Sequence, residues 1–481
     1  MVGDIAVKRK NLLMILLLLL SSMVLVSCGS ESSKPLRICF DIGSILDDAD
    51  GSSLQESVVQ GFVDDIKLYA KQYDGPEEIE VEVIPSSRDM ATERAAMLQR
   101  IRTEIMTGSG PDVFIVRCEG HGMYQIESTR LFPYPQKAIE GDFFLPLDKM
   151  LPSMQFTVWE DLHSNIMNGG RNQRDEQVVF PMTFAVPINI FHKEDLPQLE
   201  SNDFTWHDVV ALEDPAQAEL VRWMWMENLP VDIHETLGHD SGLPYLFNQV
   251  ANYDSGILLF TEDDIYKEIK NALAAYQELM TKKSGLMNYS VLPWYTRISD
   301  FPQGTPFGSS HETTDLTMLP LKTLNGGVVA EIDMYCAINR NTENAEEALF
   351  VIDLLMSEGY QQSSGFYRGG VMPTNKNLCA PGKKYHNEAP FYLEFTEQQY
   401  EEWLNICNQV TAVHYRSPLE TEMEDMIMEI QQTMADSYEQ DPEKKWADRV
   451  RDFYYGEITD EQLREIIHRH YKRMCRLIDE S

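Results

Sequence analysis

One stretch of this chain leaves few folds open. Leu36-Arg37-Ile38-Cys39-Phe40 is a short apolar run suited to a buried strand. From Ser53 to Tyr73 the apolar positions Val58, Phe62, Ile66 and Tyr69 recur at helical spacing. Ile79 to Ile84 alternates apolar and acidic residues, which is the period of a strand. Ala91 to Met106 is amphipathic through Met97, Leu98, Ile101 and Ile105, and Gly108-Ser109-Gly110-Pro111 ends it. Val113-Phe114-Ile115-Val116 is then a continuous buried-strand run. Strand, helix, strand, helix, strand is the pattern of a parallel sheet with helices on both faces, an α/β fold.

Farther along, the pattern pauses at Phe143–Asp148 and resumes with Val178-Val179-Phe180-Pro181 and Val186–Lys193. Asp263 to Met280 is predicted as a long amphipathic helix, Gly326 to Ile338 as a strand or strand pair, and Asn344 to Ser357 as a helix. The last ninety or so residues read as mostly helical and highly charged. A chain of 481 residues is too long for one compact core, so two or three domains are expected.

The start of the chain points outside the cytoplasm. Lys8, Arg9 and Lys10 precede an apolar run from Leu12 to Leu20, and Leu25-Val26-Ser27-Cys28 closes the segment. This is the layout of a signal peptide. The apolar run is shorter than the ~20 residues of a membrane span. Leu-Val-Ser-Cys resembles the bacterial lipobox, which implies that Cys28 is diacylated as the mature N-terminus. The expected organisation is a signal peptide over 1–27 and a polar tether over 28–35. The mature protein is then expected on the outer face of the bacterial cell membrane, held there by lipid.

The formal net charge of −37 repels nucleic acid and anionic headgroups. No pair of the seven cysteines has Cys-x-x-Cys spacing, so zinc and thioredoxin-type chemistry have no support. Cys39, Cys118 and Cys336 sit in or beside apolar runs and read as buried free thiols. In His234-Glu235-Thr236-Leu237-Gly238-His239 the second histidine falls at i+5, whereas a zinc protease needs i+4 to point both rings at one ion. No cofactor, metal site or catalytic constellation is expected, and the chain is read as a non-enzyme.

Several phrases together resemble the extracellular solute-binding proteins of ABC importers, family 1, the sugar-binding group that includes maltose-binding protein. They are Thr103–Val113 with its Gly-Ser-Gly-Pro-Asp, Leu145-Pro146-Leu147-Asp148, Phe180-Pro181 through Asn189-Ile190-Phe191-His192-Lys193, and Ala337–Arg340 with Ala345–Ala348. Ser357–Gln361 and Gly370-Val371-Met372-Pro373 follow in order. The resemblance implies a class II periplasmic-binding-protein-like fold: two α/β lobes, hinge-crossing segments and a helical C-terminal region. On this reading the first lobe takes 36–145 plus 301–356, and the second takes 146–300 plus 357–481.

The implied function is a lipid-anchored, monomeric receptor that hands a sugar or oligosaccharide to an ABC import permease. A sensing lipoprotein of the same fold, or a glycan hydrolase, are the alternatives. Ligands of open α/β sheets sit outside the carboxyl ends of the strands. That places candidate ligand contacts at Asp41, Ser87, Arg88, Arg117 and Glu119 on one side. Phe184, Asn189, Trp294, Tyr367 and Arg368 are the candidates on the other. Trp223 and Trp225 would share one face of a strand, as a stacking platform or as core.

Overall fold

The apolar spacing of the N-terminal region becomes structure with little change. The computed structural model describes residues 34–41, 53–85, 90–118, 130–186, 188–192, 243–282, 316–320, 322–363, 372–383, 395–436 and 458–481. Strand β1 is Leu36–Asp41, helix α1 Ser53–Gln72, β2 Ile79–Ile84, α2 Ala91–Met106 and β3 Val113–Arg117. β1 lies between β2 and β3 and is parallel to both, with Leu36 opposite Ile79 and Ile38 opposite Val113. Parallel neighbours need crossovers, and α1 and α2 supply them.

The Gly-Ser-Gly-Pro-Asp phrase earns its place by geometry. Gly108 and Gly110 adopt φ of +80° and +111°, which side-chain-bearing residues rarely adopt, and so α2 stops there. Asp112 then accepts hydrogen bonds from the Arg37 backbone N–H at 2.8 Å and from Asn344 Nδ2 at 3.3 Å. One carboxylate thereby fixes the start of β3 against β1 and against the entry to a helix far along the chain.

The remaining elements are α3 (Pro135–Glu140), α4 (Ser164–Met167), β4 (Val179–Ala185), β5 (Ile188–His192), β6 (Ala251–Asn252), β7 (Ile257–Leu258) and α5 (Glu262–Lys282). After them come β8 (Leu316–Pro320), β9 (Val328–Ile338), α6 (Ala345–Met356), α7 (Glu358–Ser363) and β10 (Met372–Pro373). The chain closes with α8 (Glu397–Asn408), β11 (Val410–His414), α9 (Pro418–Asp436) and α10 (Asp460–Glu480). The main sheet has the order β10-β4-β9-β3-β1-β2, with β11 on β9. It is mixed and not wholly parallel, because β9 runs antiparallel to both β3 and β4.

Two hydrophobic clusters result. The first gathers both faces of the main sheet, including Phe40, Phe62, Phe114, Phe144, Phe180, Leu355 and Trp403. The second packs α5, α9 and α10 through Ile265, Ile269, Met423, Met426, Ile467 and Met474. Val329, near the start of β9, belongs to this second cluster, while Ile332, Met334 and Ile338 on the same strand belong to the first. All eleven β9 residues are buried.

The expected boundary at 145/146 does not coincide with the first core. Leu162, Ile166, Met167, Val178 and strand β4 join the cluster of β1 and β3. The reason lies in β4 itself: six of its seven residues are buried, and a strand apolar on both faces needs cover on both faces.

Cys39, Cys118 and Cys336 are buried free thiols, as their apolar settings suggested. Among the described residues no helix is long and apolar enough to cross a membrane.

Candidate ligand-binding site

The carboxyl end of β3 meets the middle of β9, with the end of β1 on its other side, and there an apolar core acquires charge. Glu331 and Asp333 interrupt an otherwise apolar strand, and both are buried. Arg117 Nε at the end of β3 donates to Asp333 Oδ1 at 3.4 Å, and Thr183 Oγ1 of β4 donates to Asp333 Oδ2 at 3.1 Å. The Cys118 backbone N–H donates to the Asp333 carbonyl at 2.6 Å. A single aspartate therefore ties three adjacent strands at the crossing point.

Asp41, at the end of β1, is fully buried. It pairs with Arg94 Nη1 of α2 at 2.8 Å and accepts from the Leu131 backbone N–H at 2.9 Å. The same Arg94 nitrogen donates to the Pro85 carbonyl at 2.9 Å, so this pair also pins the end of β2. On the far side of β9, Arg416 pairs with Glu424 and lies 4.0 Å from Glu331, which accepts from the Tyr245 hydroxyl. Arg130 Nη1 closes the seam by donating to the Arg416 carbonyl at 2.5 Å.

Four guanidinium groups thus face four carboxylates in a band across the strand ends. Buried pairs of this kind add little net stability, yet removing one partner is costly because the other charge is left unpaired. The band holds geometry and leaves little free charge for chemistry. Burial raises the Cys118 thiol, which disfavours the reactive thiolate. Burial, reinforced by Lys376, lowers His163 to about 3, so its ring is neutral near pH 7. Among the described residues no group of three His, Cys, Asp or Glu is placed to hold a metal ion.

The structure distributes the sequence-derived candidates unevenly. Asp41 is at the strand end but fully buried in its ion pair with Arg94. Arg117 keeps 12% of its side chain exposed and reaches the crossing. Phe184 is fully buried, its ring stacked on Trp403 at 5.7 Å and edge-on to His163 at 5.5 Å. It is a core residue and offers no face to a ligand. Asn189 lies on β5, opposite Leu319 of β8. Ser87, Arg88, Glu119, Trp294, Tyr367, Arg368 and the proposed lipidation site Cys28 lie outside the described residues, as do Trp223, Trp225 and the His234–His239 segment.

Sequence reasoning missed Asp333, Arg130 and Arg416. A signal for the first was present: two acids at i and i+2 inside an eleven-residue apolar strand have to be paired if the strand is buried.

A mixed α/β sheet whose long strand β9 is shared with a second, helical core defines the class of fold. No family model matches the chain, and no curated protein is significantly similar to it. Solved structures similar to it include an extracellular solute-binding protein of family 1 from Alicyclobacillus acidocaldarius. That structure is 14% identical, with 93% of this chain and 100% of that one covered and a TM-score of 0.48. A periplasmic oligogalacturonide-binding protein from Yersinia enterocolitica is 12% identical, with 91% and 100% covered and a TM-score of 0.46. A de novo designed cysteine esterase is 12% identical, with 94% and 99% covered and a TM-score of 0.49.

Proposed function

We propose that this chain is an extracytoplasmic solute receptor, anchored by lipid on Cys28, that delivers a sugar or oligosaccharide to an ABC import permease. The observation that carries the reading is β9: one buried strand whose Val329 packs in the helical core while its other apolar residues pack in the sheet core. Two units joined by a shared strand suit closure around a ligand by bending at the crossing. The lobes of this reading are 36–145 plus 301–356 and 146–300 plus 357–481. The sugar class rests on the order of phrases from Thr103–Val113 to Gly370–Pro373. The ligand is assigned to the carboxyl ends of β1 to β3, where Arg117 reaches the surface.

A thermal-shift screen of the purified chain across mono- and oligosaccharides, peptides and polyamines tests this. A ligand at 100 times its Kd stabilises by ~2.7 kcal/mol, a clear shift in melting temperature. Stabilisation by a saccharide, with the saccharide recovered unchanged, is the expected result. Stabilisation only by peptides or polyamines overturns the sugar class, and breakdown of the saccharide overturns the receptor reading in favour of a hydrolase. Cys28→Ser should release the protein from membranes, and unchanged membrane retention with normal processing overturns the anchor.

A further inference from the structure

A cavity of about 620 Å³ lies apart from the strand-end band and includes none of its arginines or carboxylates. Its size falls within the ~300–1,000 Å³ usual for small-molecule sites. One wall comes from Asn165, Asn168 and Gly169, upstream of β4. The other comes from Leu246–Gln249, the start of α5 and Asn325, with β11 between them.

The lining has a definite chemistry. Six side-chain carboxamides face the space: Gln136, Asn165, Asn168, Asn248, Gln249 and Asn325. A carboxamide both donates and accepts, which is also what a sugar hydroxyl does, and neither partner needs a charge. Several of the six are held in place. Asn165 Nδ2 donates to the Asn408 carbonyl at 2.9 Å, Gln136 Nε2 donates to Glu140 at 3.2 Å, and Asn248 Oδ1 accepts from Thr411 Oγ1 at 3.2 Å. Donors and acceptors fixed in this way bind without first losing side-chain freedom.

Leu259, Leu324 and the largely buried Phe247–Phe260 pair, its rings 4.7 Å apart, supply the apolar part of the lining. Such a surface suits the weakly apolar face of a pyranose. The charges of the lining cancel, Arg171 and Lys267 against Asp264 and Glu268, while the chain as a whole carries −37. An anionic ligand would meet the repulsion of that field with no compensating excess of positive charge in the cavity.

We propose that this cavity is a second saccharide site, taking a neutral sugar of one or two rings between carboxamides and the apolar lining around Leu259 and Leu324. It does not depend on the strand-end receptor reading. Asn168 and Asn325 are exposed residues on opposite walls and belong to neither core, so Asn168→Trp and Asn325→Trp each fill the space from outside the packed interior.

The probes are glucose, galactose, maltose, cellobiose and galacturonate at millimolar concentration. They are titrated calorimetrically into the full wild-type chain, the two cavity variants and Arg117→Ala, with circular dichroism confirming that each variant is folded. The expected result is binding of at least one neutral sugar, weakened about tenfold or more by both tryptophans and retained in Arg117→Ala, with galacturonate bound more weakly. The site is overturned if no neutral probe binds, if both filled variants bind as wild type does, or if galacturonate binds tightest. Binding lost in Arg117→Ala and kept in both tryptophan variants upholds the strand-end receptor while refuting the cavity.

Discussion

The two hydrophobic cores of this protein are held together by different means. The sheet core is fixed by backbone ladders and by interlocked rings, such as Phe40 against Phe62 at 4.9 Å and Phe132 against Phe144 at 5.1 Å. The smaller helical core has such a ring pair too, Phe247 against Phe260, and is richer for its size in flexible methionines, Met423, Met426, Met434 and Met474, with ion pairs around its rim. There Arg464 stacks on the Tyr266 ring at 3.6 Å, and His470 bridges Glu422 at 2.6 Å and Glu429 at 2.9 Å. Rings in fixed rotamers resist deformation, whereas thioethers adapt to it. A shared strand between a stiff unit and an adaptable one concentrates change on the second.

The sharpest test of this contrast is Phe184→Ala. Its ring lies between Trp403 and His163 in the sheet core, so truncation should cost about 3–5 kcal/mol of stability. Urea denaturation measures it, and a cost below about 1 kcal/mol would mean that the ring is not a core element.

Asp353→Ala should come next. The buried carboxylate accepts from the backbone N–H groups of Phe156 at 3.0 Å and Thr157 at 2.8 Å, and also from Gln155. Leaving these donors unsatisfied should cost about 3 kcal/mol. Asp353→Asn, which keeps an acceptor, should recover part of that loss.

Met423→Leu in the helical core should cost less than about 1.5 kcal/mol, since the adaptable core repacks around a side chain of similar volume. A loss as large as that of Phe184→Ala would erase the distinction between the cores.

The smallest expected effect is a dependence on pH confined to the helical core. Burial works against protonation of His470, but its hydrogen bonds to Glu422 and Glu429 outweigh it and raise the pKa. A raised histidine stabilises fully below its unfolded pKa of ~6.5, and that contribution is lost as pH climbs through the higher folded value. Melting temperature should therefore fall on the alkaline side of that window in the wild type and less in His470→Gln. Equal slopes for the two proteins would remove His470 as the cause.

The candidate site was legible only in outline. Arg117 was found because it follows an apolar strand run, and strand ends are where α/β sheets bind. Asp41 followed from the same rule, but whether a carboxylate at that place meets a ligand or an arginine depends on α2, whose Arg94 was read only as part of an amphipathic helix. Phe184 looked available by that same rule, in a segment that resembles the opening of the second lobe. Nothing local to Phe184 announces that Trp403 comes to lie on it.

The sequence by itself determined the local elements. The spans of β1, β2, α2 and β3, the stop at Gly108–Gly110 and the helix from Ala345 to Met356 all follow from spacing between near neighbours and from glycine's backbone freedom. Periodicity is a short-range code, written in residues two to four apart. Only the tertiary structure decided that β9 serves two cores, that β4 belongs with the first, and that six carboxamides from four separate stretches of chain line one cavity. Those outcomes depend on which surfaces meet across long stretches of chain, where burial of matching faces decides and spacing along the sequence carries no record of the partner.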